Sequence, residues 1–397
     1  TAVLHNHLIF MLILFIIALL VRDDFIFTIV YLLAGVTIVG RIWSLKVLRN
    51  LAYERSYTRK AFCGEEVPVQ LTVSNRGWMP MIWLRLIESL PTEIAPVIPL
   101  RQVLSLGPHR QVRFEYILHA RKRGYYKVGP LFASTGDLLG LTNEQRWESS
   151  QDSLIIYPRI IRLSSLKLVS SAPVGTLRHT QPIYEDASRV HGKRGYVVGD
   201  SLRRVDWKAT AASGHLQVKL FDPSISLTTE FILGLNVNEY DAHRWADATE
   251  LAIVVTASMV DWVIRNKQYA GLATNGLDPL NDQGTFTPIA PGKGQAQLMR
   301  ILELLARVQA ADAQPLIEVV RYAMQQLPWG TTLVLICGQA DTQLFEELFR
   351  CRRYGLSPIL VMAGQIRDIG TIKQRCEHFR IPIHHIRNEF DLDQWRQ

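Results

Sequence analysis

The densest chemistry in the chain lies in residues 194–223, RGYVVGDSLRRVDWKATAASGHLQVKLFDP, where Asp200 and Asp206 sit among Arg194, Arg203, Arg204 and Lys208. Two carboxylates at one site can divide general acid and general base work, as a hydrolase or transferase requires. Side chains on a helix meet at spacings of three and four, and these aspartates are six apart, so such a pair needs a bent segment. The competing uses of Arg203, Arg204, Asp206 and Lys208 are an ion-pair set or an anion site. Elsewhere the candidates are thinner. Cys337 follows an apolar strand, as a nucleophile can, but no specific His partner is identifiable. Gly292-Lys293-Gly294 lacks both the preceding strand and the spacing of a phosphate loop. His191 and His215 flank the dense segment without ligand spacing. The four cysteines, Cys63, Cys337, Cys351 and Cys376, contain no CxxC pair. They suggest neither a zinc cluster nor a disulfide framework, and point to a reducing compartment.

These side chains need a frame. Asp200 is placed to cap a helix over residues 201–212, with Leu202, Val205, Ala209 and Ala212 on one stripe and Gly214 as its stop. Leu216, Val218 and Leu220 then alternate as a strand. On that frame Arg203, Arg204, Asp206 and Lys208 occupy the other helix faces.

The chain has 397 residues, 44 Lys and Arg against 36 Asp and Glu for a net charge of +8, and 48% hydrophobic against 20% charged residues. This balance excludes a disordered chain, and the length allows two or three domains at about 150 residues each. Much of the apolar excess sits in residues 8–21, fourteen uncharged positions, and 25–40, sixteen more, separated by Arg22-Asp23-Asp24. Extended at their flanks to the roughly 20 residues a bilayer needs, they predict a transmembrane helical hairpin over 1–45. A buried hairpin of core helices and a signal peptide are the alternatives. No Lys or Arg precedes Leu8 and no small-residue cleavage pattern follows, against the signal peptide. Residues 41–60 hold Arg41, Lys46, Arg49, Arg55, Arg59 and Lys60 against one acid, Glu54. That excess places both termini and the soluble domains on the cytoplasmic side of the plasma membrane, where the same cations could touch anionic headgroups.

From 61 to 158 the period becomes two. Val67, Val69, Leu71 and Val73 alternate with polar partners, and residues 83–88, 112–118 and 154–157 repeat the pattern between Gly, Pro and Asn turns. This predicts an antiparallel β-sandwich. Arg121, Lys122, Arg123, Tyr125, Tyr126 and Lys127 mix charge and aromatics, as a nucleic-acid platform does; a solvated hairpin with edge tyrosines explains them as well. After Thr228, apolar strands at 229–237, 268–273, 331–336, 358–362 and 381–383 alternate with helical stretches, the first capped by Asp241 and a later one beginning near Asp341. That alternation predicts a mostly parallel sheet covered on both faces.

The combination resembles the family known as domain of unknown function 58. The matching positions are Arg194, Tyr196, Gly199, Asp200, Arg204 and Trp207 with Thr210-Ala211 after them, Arg123-Gly124-Tyr125, and Gly136-Asp137-Leu138-Leu139-Gly140-Leu141. Ala212 departs from the Arg that family often carries there. The resemblance implies a von Willebrand A-like (Rossmann-like) C-terminal domain. It also implies partners, MoxR-type AAA+ ATPases and other von Willebrand A-like proteins, and no reaction. Such folds can hold a divalent cation through Asp-x-Ser-x-Ser after the first strand. Here Asn236 replaces the carboxylate, Asn238 and Tyr240 replace the hydroxyls, and Cys337-Gly338-Gln339 lacks the later Asp, leaving Glu239, Asp241 and Asp341 nearby. Neither metal nor cofactor is expected.

The sequence thus reads as a multidomain membrane protein: a transmembrane helical hairpin (1–45), an antiparallel β-sandwich (61–160), a linker with the hallmark segment (161–227) and an α/β von Willebrand A-like domain (228–397). Its expected role is a non-catalytic, membrane-anchored, cytoplasm-facing scaffold or adaptor. With a MoxR-type AAA+ ATPase it would serve assembly or maturation of protein complexes. Arg194, Tyr196, Gly199, Asp200, Arg203, Arg204, Asp206 and Trp207 form the docking element on this reading, or else a purely structural joint. The rival is a membrane-associated hydrolase or transferase using Asp200 and Asp206. Five of the net positive charges lie just behind the hairpin, so the bilayer is an expected partner and nucleic acid is not.

Overall fold

The computed structural model describes residues 2–21, 24–136, 144–164, 185–197, 205–223, 228–280 and 288–395. Gly199, Asp200, Arg203, Arg204 and the run 137–141 lie outside the described residues. The chain forms two compact units, Thr1–Arg159 with Leu305–Arg307, and Ile160–Leu304 with Val308–Gln397.

The first unit opens with α1 (Ala2–Val21) and α2 (Asp24–Arg49). Leucine, isoleucine and phenylalanine dominate both, and α1 packs on α2 with Phe15 edge-on to Phe27 at 6.4 Å. Among the described residues α2 alone is long and apolar enough to cross a membrane; Ile9–Val21 is a shorter apolar helix. Thr28 and Thr37 return their hydroxyls to the carbonyls of Asp24 and Leu33, each at 2.8 Å, so α2 satisfies these polar groups internally.

Ten strands follow: β1 (Leu51–Ser56), β2 (Lys60–Phe62), β3 (Glu66–Asn75), β4 (Met81–Glu88), β5 (Arg101–Leu106), β6 (Gln111–His119), β7 (Gly124–Val128), β8 (Leu131–Thr135), β9 (Gln145–Glu148) and β10 (Asp152–Tyr157). They form three sheets, β1-β3-β6, β2-β10-β7 and β5-β4-β8-β9. The pairings are antiparallel except β2 with β10. The period-two pattern does its expected work in β3, whose Val67, Val69, Leu71 and Val73 are all buried while Pro68 and Gln70 face out. The 121–127 segment is not a hairpin with its predecessor: β7 pairs with β10 as an edge strand, and β6 pairs with β3.

Two features lock this unit. The end of α2 is part of the β core, where Val47 and Leu48 pack with Leu51, Leu71, Val73, Met81 and Leu84. Deeper in, Arg55 of β1 meets Glu88 of β4 at 2.7 Å and Asp152 of β10 at 2.5 Å, so one guanidinium ties together all three sheets.

The second unit begins with β11 (Glu185–Gly195), α3 (Trp207–Ser213) and β12 (Gln217–Pro223), the two strands pairing antiparallel. An α/β domain follows: β13 (Thr228–Leu233), α4 (Trp245–Arg265), β14 (Tyr269–Thr274), β15 (Ile289–Gly292), α5 (Gln295–Arg307), α6 (Leu316–Gln326), β16 (Thr332–Cys337), α7 (Thr342–Arg353), β17 (Ser357–Ala363), α8 (Ile369–His378) and β18 (Ile383–Ile386). The sheet order is β15-β14-β13-β16-β17-β18, parallel except for the β14–β15 pair. Its strands are continuous apolar runs because both faces are covered. Leu333, Leu335 and Leu360 pack under α6, α7 and α8, and α4 lies against β13, β14, β16 and β17.

Two expected boundaries move. β13 stops at Leu233, and Val237–Glu239 form a single 3-10 turn in place of a strand end. Asp241 does not cap α4; it accepts the His243 N–H at 3.0 Å in a local turn, and α4 starts at Trp245.

Candidate functional site

The hallmark hairpin is built by the β11–β12 ladder. It sets Lys193 opposite Lys219 and Arg194 opposite Val218, and an isolated bridge adds Val205 to Val218. Val205 is held in that ladder and buried, so it stands outside the helix. The helix begins at Trp207 with Asp206 as its N-cap, the carboxylate accepting the Ala209 N–H at 3.2 Å. Gly214 ends it in the left-handed region at φ 72°, as expected. The same Asp206 carboxylate lies 2.9 Å from Lys193 Nζ, a partner the sequence reading missed because thirteen residues separate them. Lys193 first, and then the Ala209 N–H, hold this carboxyl below the usual carboxylate range. Tyr196 donates its backbone N–H to Leu216 at 2.9 Å, Arg194 donates to the neighbouring Gly195 carbonyl at 3.1 Å, and Trp207 stands 67% exposed. The structure therefore brings Lys193, Asp206 and the start of α3 together, beside an uncovered indole.

The depressed Asp206 carboxyl fixes a pH sign. Its folded value lies below its unfolded value, so its contribution is present above the ordinary carboxylate range and is lost as pH falls through the folded value. Asp206→Ala is expected to speed amide exchange across residues 207–213 at neutral pH. Asp206→Asn, which keeps a capping oxygen but loses the Lys193 charge pair, should fall between. Equal exchange in all three proteins would refute the cap.

A second site lies where the parallel sheet changes direction. The chain leaves β13 toward β14 on one side and returns to β16 on the other, and crevices form beyond the carboxyl ends of strands at such points. Here the crevice encloses about 730 Å³ between the loops after β13, β16 and β17 and the first turns of α8. Its floor is Tyr240, whose hydroxyl donates to the Gly234 carbonyl at 2.6 Å and whose ring lies on Gly338. A Cβ at position 338 would fall 2.2 Å from that ring, so only glycine permits the contact.

Asn236, Asn238 and Tyr240 are committed to the fold. Asn236 Oδ1 accepts the Asn238 N–H at 3.0 Å and its Nδ2 donates to Ala313 at 2.6 Å; Asn238 Nδ2 donates to Asp312 at 2.7 Å. Glu239 accepts the Leu316 N–H at 2.7 Å, and burial pushes its carboxyl above the usual range. Asp341 caps α7 by accepting the Leu344 N–H at 2.8 Å. Among the described residues no group of three or more His, Cys, Asp or Glu side chains is placed to hold a metal ion. Cys337 is fully buried with its sulfur 3.8 Å from that of Met362, and burial pushes its thiol far up, so the thiolate a nucleophile needs is suppressed. Lys293 sits over the Tyr269 ring at 5.4 Å; a short strand, β15, does precede it, though an antiparallel one.

The crevice rim is different. Arg367 reaches the Asp241 carboxylate at 3.3 Å yet is 85% exposed, and Arg375 donates to Thr342 Oγ1 at 3.2 Å. Arg244 is hydrogen-bonded to Gln365. The arrangement is a hydrogen-bonded polar floor with exposed charged side chains around it, suited to recognition of a surface.

Residues 192–352 match the family model described as protein of unknown function DUF58. The match runs from the end of β11 through α3 and β12 and across the α/β domain to most of α7. Uncharacterized protein YeaD of Bacillus subtilis (strain 168) is 25% identical over 333 residues, covering 82% of this chain and 78% of that protein. Proximal thread matrix protein 1 from the mussel byssus overlaps 43% of this chain and 46% of its own at TM-score 0.32 and 7% identity. A fragment of native alpha-2-macroglobulin from Escherichia coli overlaps 28% of this chain and 17% of its own at TM-score 0.25 and 14% identity.

Proposed function

We propose that the chain is a membrane-anchored scaffold whose α1 and α2 form a transmembrane hairpin with both soluble units on the cytoplasmic side. On this reading the three antiparallel sheets are a β-sandwich and the α/β domain is von Willebrand A-like. Its crevice docks a protein partner, by class a MoxR-type AAA+ ATPase, in assembly or maturation of protein complexes. The carrying observation is the state of the crevice. The positions that would ligate a cation in such a domain, Asn236, Asn238 and Tyr240, are spent on internal hydrogen bonds, while Arg367 projects from the rim. A partner is then gripped by side chains directly, without a bridging metal. The hydrolase reading is disfavoured by Asp206, whose carboxylate is already a helix cap and an ion pair.

Charge reversal at a rim position alters encounter and recognition more than folding. Arg367→Glu in the intact membrane protein is therefore expected to reduce recovery of the ATPase several-fold on affinity purification, with unchanged expression. Full recovery with the variant would contradict docking at this crevice. Protease protection in inverted vesicles tests the topology: α1 and α2 should be protected and residues 51–395 accessible.

A further inference from the structure

The joint between α2 and the β unit has the chemistry of a lipid-headgroup seat. α2 has 26 residues, about 39 Å of helix, whereas a bilayer core takes about 30 Å, or 20 residues. Counted from Asp24, twenty residues end at Trp43. The surplus, residues 44–49, is the part seated in the β core, where Ser44, Val47 and Leu48 are buried. The bilayer edge therefore falls at Trp43, whose Nε1 donates to the Pro80 carbonyl at 3.2 Å and so fixes the turn 76–80 at that depth.

This turn is held rigidly. Buried Asn75 donates its amide to Met79 at 2.7 Å and Gly107 at 3.1 Å, accepts the Gly77 N–H at 2.9 Å, and so binds turn 76–80 to turn 107–110. Gly77 lies against the Asn50 side chain, with a Cβ there only 2.6 Å from Nδ2. From this clamped turn Trp78 projects 72% exposed. Of the segments that meet here, 41–51, 75–81 and 106–111 contain Arg41, Lys46, Arg49, Arg76 and Arg110 and no acidic residue, those five side chains are exposed, and β9, which also packs on α2, adds Arg146 against one acid, Glu148. An exposed indole on segments with an excess of exposed cations is the composition of a membrane interface on the side of anionic lipid.

We infer that the last turns of α2 and the turns 76–80 and 107–110 form a collar that seats the β unit directly on anionic phospholipid headgroups, with Trp78 as its interfacial anchor. The inference rests on the membrane reading above and adds that the β unit sits flush on the lipid, with no flexible tether.

The test uses the full chain in vesicles of phosphatidylcholine and phosphatidylglycerol, in a Cys63→Ser background that leaves only buried cysteines. Single cysteines replacing Tyr31, Pro108 and Ile98, all exposed, carry a fluorophore that nitroxide lipids quench. Ile98 lies in the loop leaving the opposite end of β4 from α2. Quenching at 31 and 108 should exceed that at 98 several-fold, and Arg76→Glu with Arg110→Glu should lower it at 108 while leaving 31 unchanged. Quenching at 31 but not at 108 overturns the collar and leaves the membrane reading standing. Quenching at neither overturns both. Quenching at 98 equal to that at 108 overturns the seating, and indifference to the two charge reversals overturns the anionic headgroup as the occupant.

Discussion

Glu230→Gln is expected to stabilise the α/β domain at pH 7 by up to about 3 kcal/mol, less the cost of burying an unpaired amide N–H, and to remove most of its loss of stability between pH 5 and 8. Glu230 sits mid-sheet on β13, opposite Gly271 of β14 and Leu333 of β16. Its Oε2 is buried without a hydrogen-bond partner. The space it occupies exists only because residue 271 lacks a side chain; a Cβ there would fall 1.9 Å from that oxygen. Burial alone pushes the carboxyl from 4.5 up to about 8. The folded state therefore binds one proton more than the unfolded chain between these two values, so stability falls as pH rises through that interval. Glutamine keeps the shape and has no charge to desolvate. His384 gives an opposite slope, because burial holds its imidazole below the ordinary value, and comparing the two proteins cancels it. Denaturation at pH 5 and pH 8 reads the effect; parallel pH profiles for wild type and variant would refute a buried neutral carboxyl.

The second large effect is at Arg55. Its side chain and that of Glu88 are fully buried, and their 2.7 Å contact is an ion pair without the alignment of a hydrogen bond. Tyr116 shares the cluster; burial first, and then Glu88, push its phenol far above the ordinary value. Gly129, at φ 93°, brings bare backbone beside the guanidinium, where a Cβ would fall 3.1 Å from Nη2. Removing one partner of a buried pair strands the other charge, at a cost of about 3–5 kcal/mol, whereas replacing both with apolar groups is often neutral. Arg55→Met, which strands the buried Glu88, is expected to destabilise the β unit by that amount, and Glu88→Leu by less, because Arg55 keeps Asp152. Arg55→Met with Glu88→Leu should recover most of it. Urea denaturation in detergent micelles, followed by tryptophan fluorescence, completes the cycle. Additive losses in the double variant would show that the two charges do not depend on each other.

What was legible in the sequence was periodicity. Val67 to Val73 announced a half-buried strand, and Thr332 to Cys337 a strand covered on both faces, because burial alternates in one and is continuous in the other. The start of α7 near Asp341 was legible, and the cap that the structure adds there is local. Asp200 and Asp206 were not separable in the same way. Each precedes a helix-compatible stretch, and the choice is made by Val205 pairing with Val218 across the hairpin. Lys193 entered the site for the same non-local reason. α8 was missed because Gly370, Thr371 and Ile372 weaken its helical signal. Arg55 and Glu88 were illegible as a pair because a charge in an alternating strand reads as a solvent-facing residue. Only the meeting of β1 with β4 turns these two inward. Likewise Glu230 resembles any ladder residue until Gly271 is placed beside it.

On the proposed reading a partner docks at the carboxyl edge of the parallel sheet. Photo-cross-linkers at Gln339, in the crevice, and at Tyr354, an exposed residue preceding β17 at the other edge of the sheet, test it in intact membranes. Adducts with an AAA+ ATPase subunit are expected from position 339, weakening with Arg367→Glu, and none from 354. Adducts from 354 alone, or none to such an ATPase from 339, would contradict that docking.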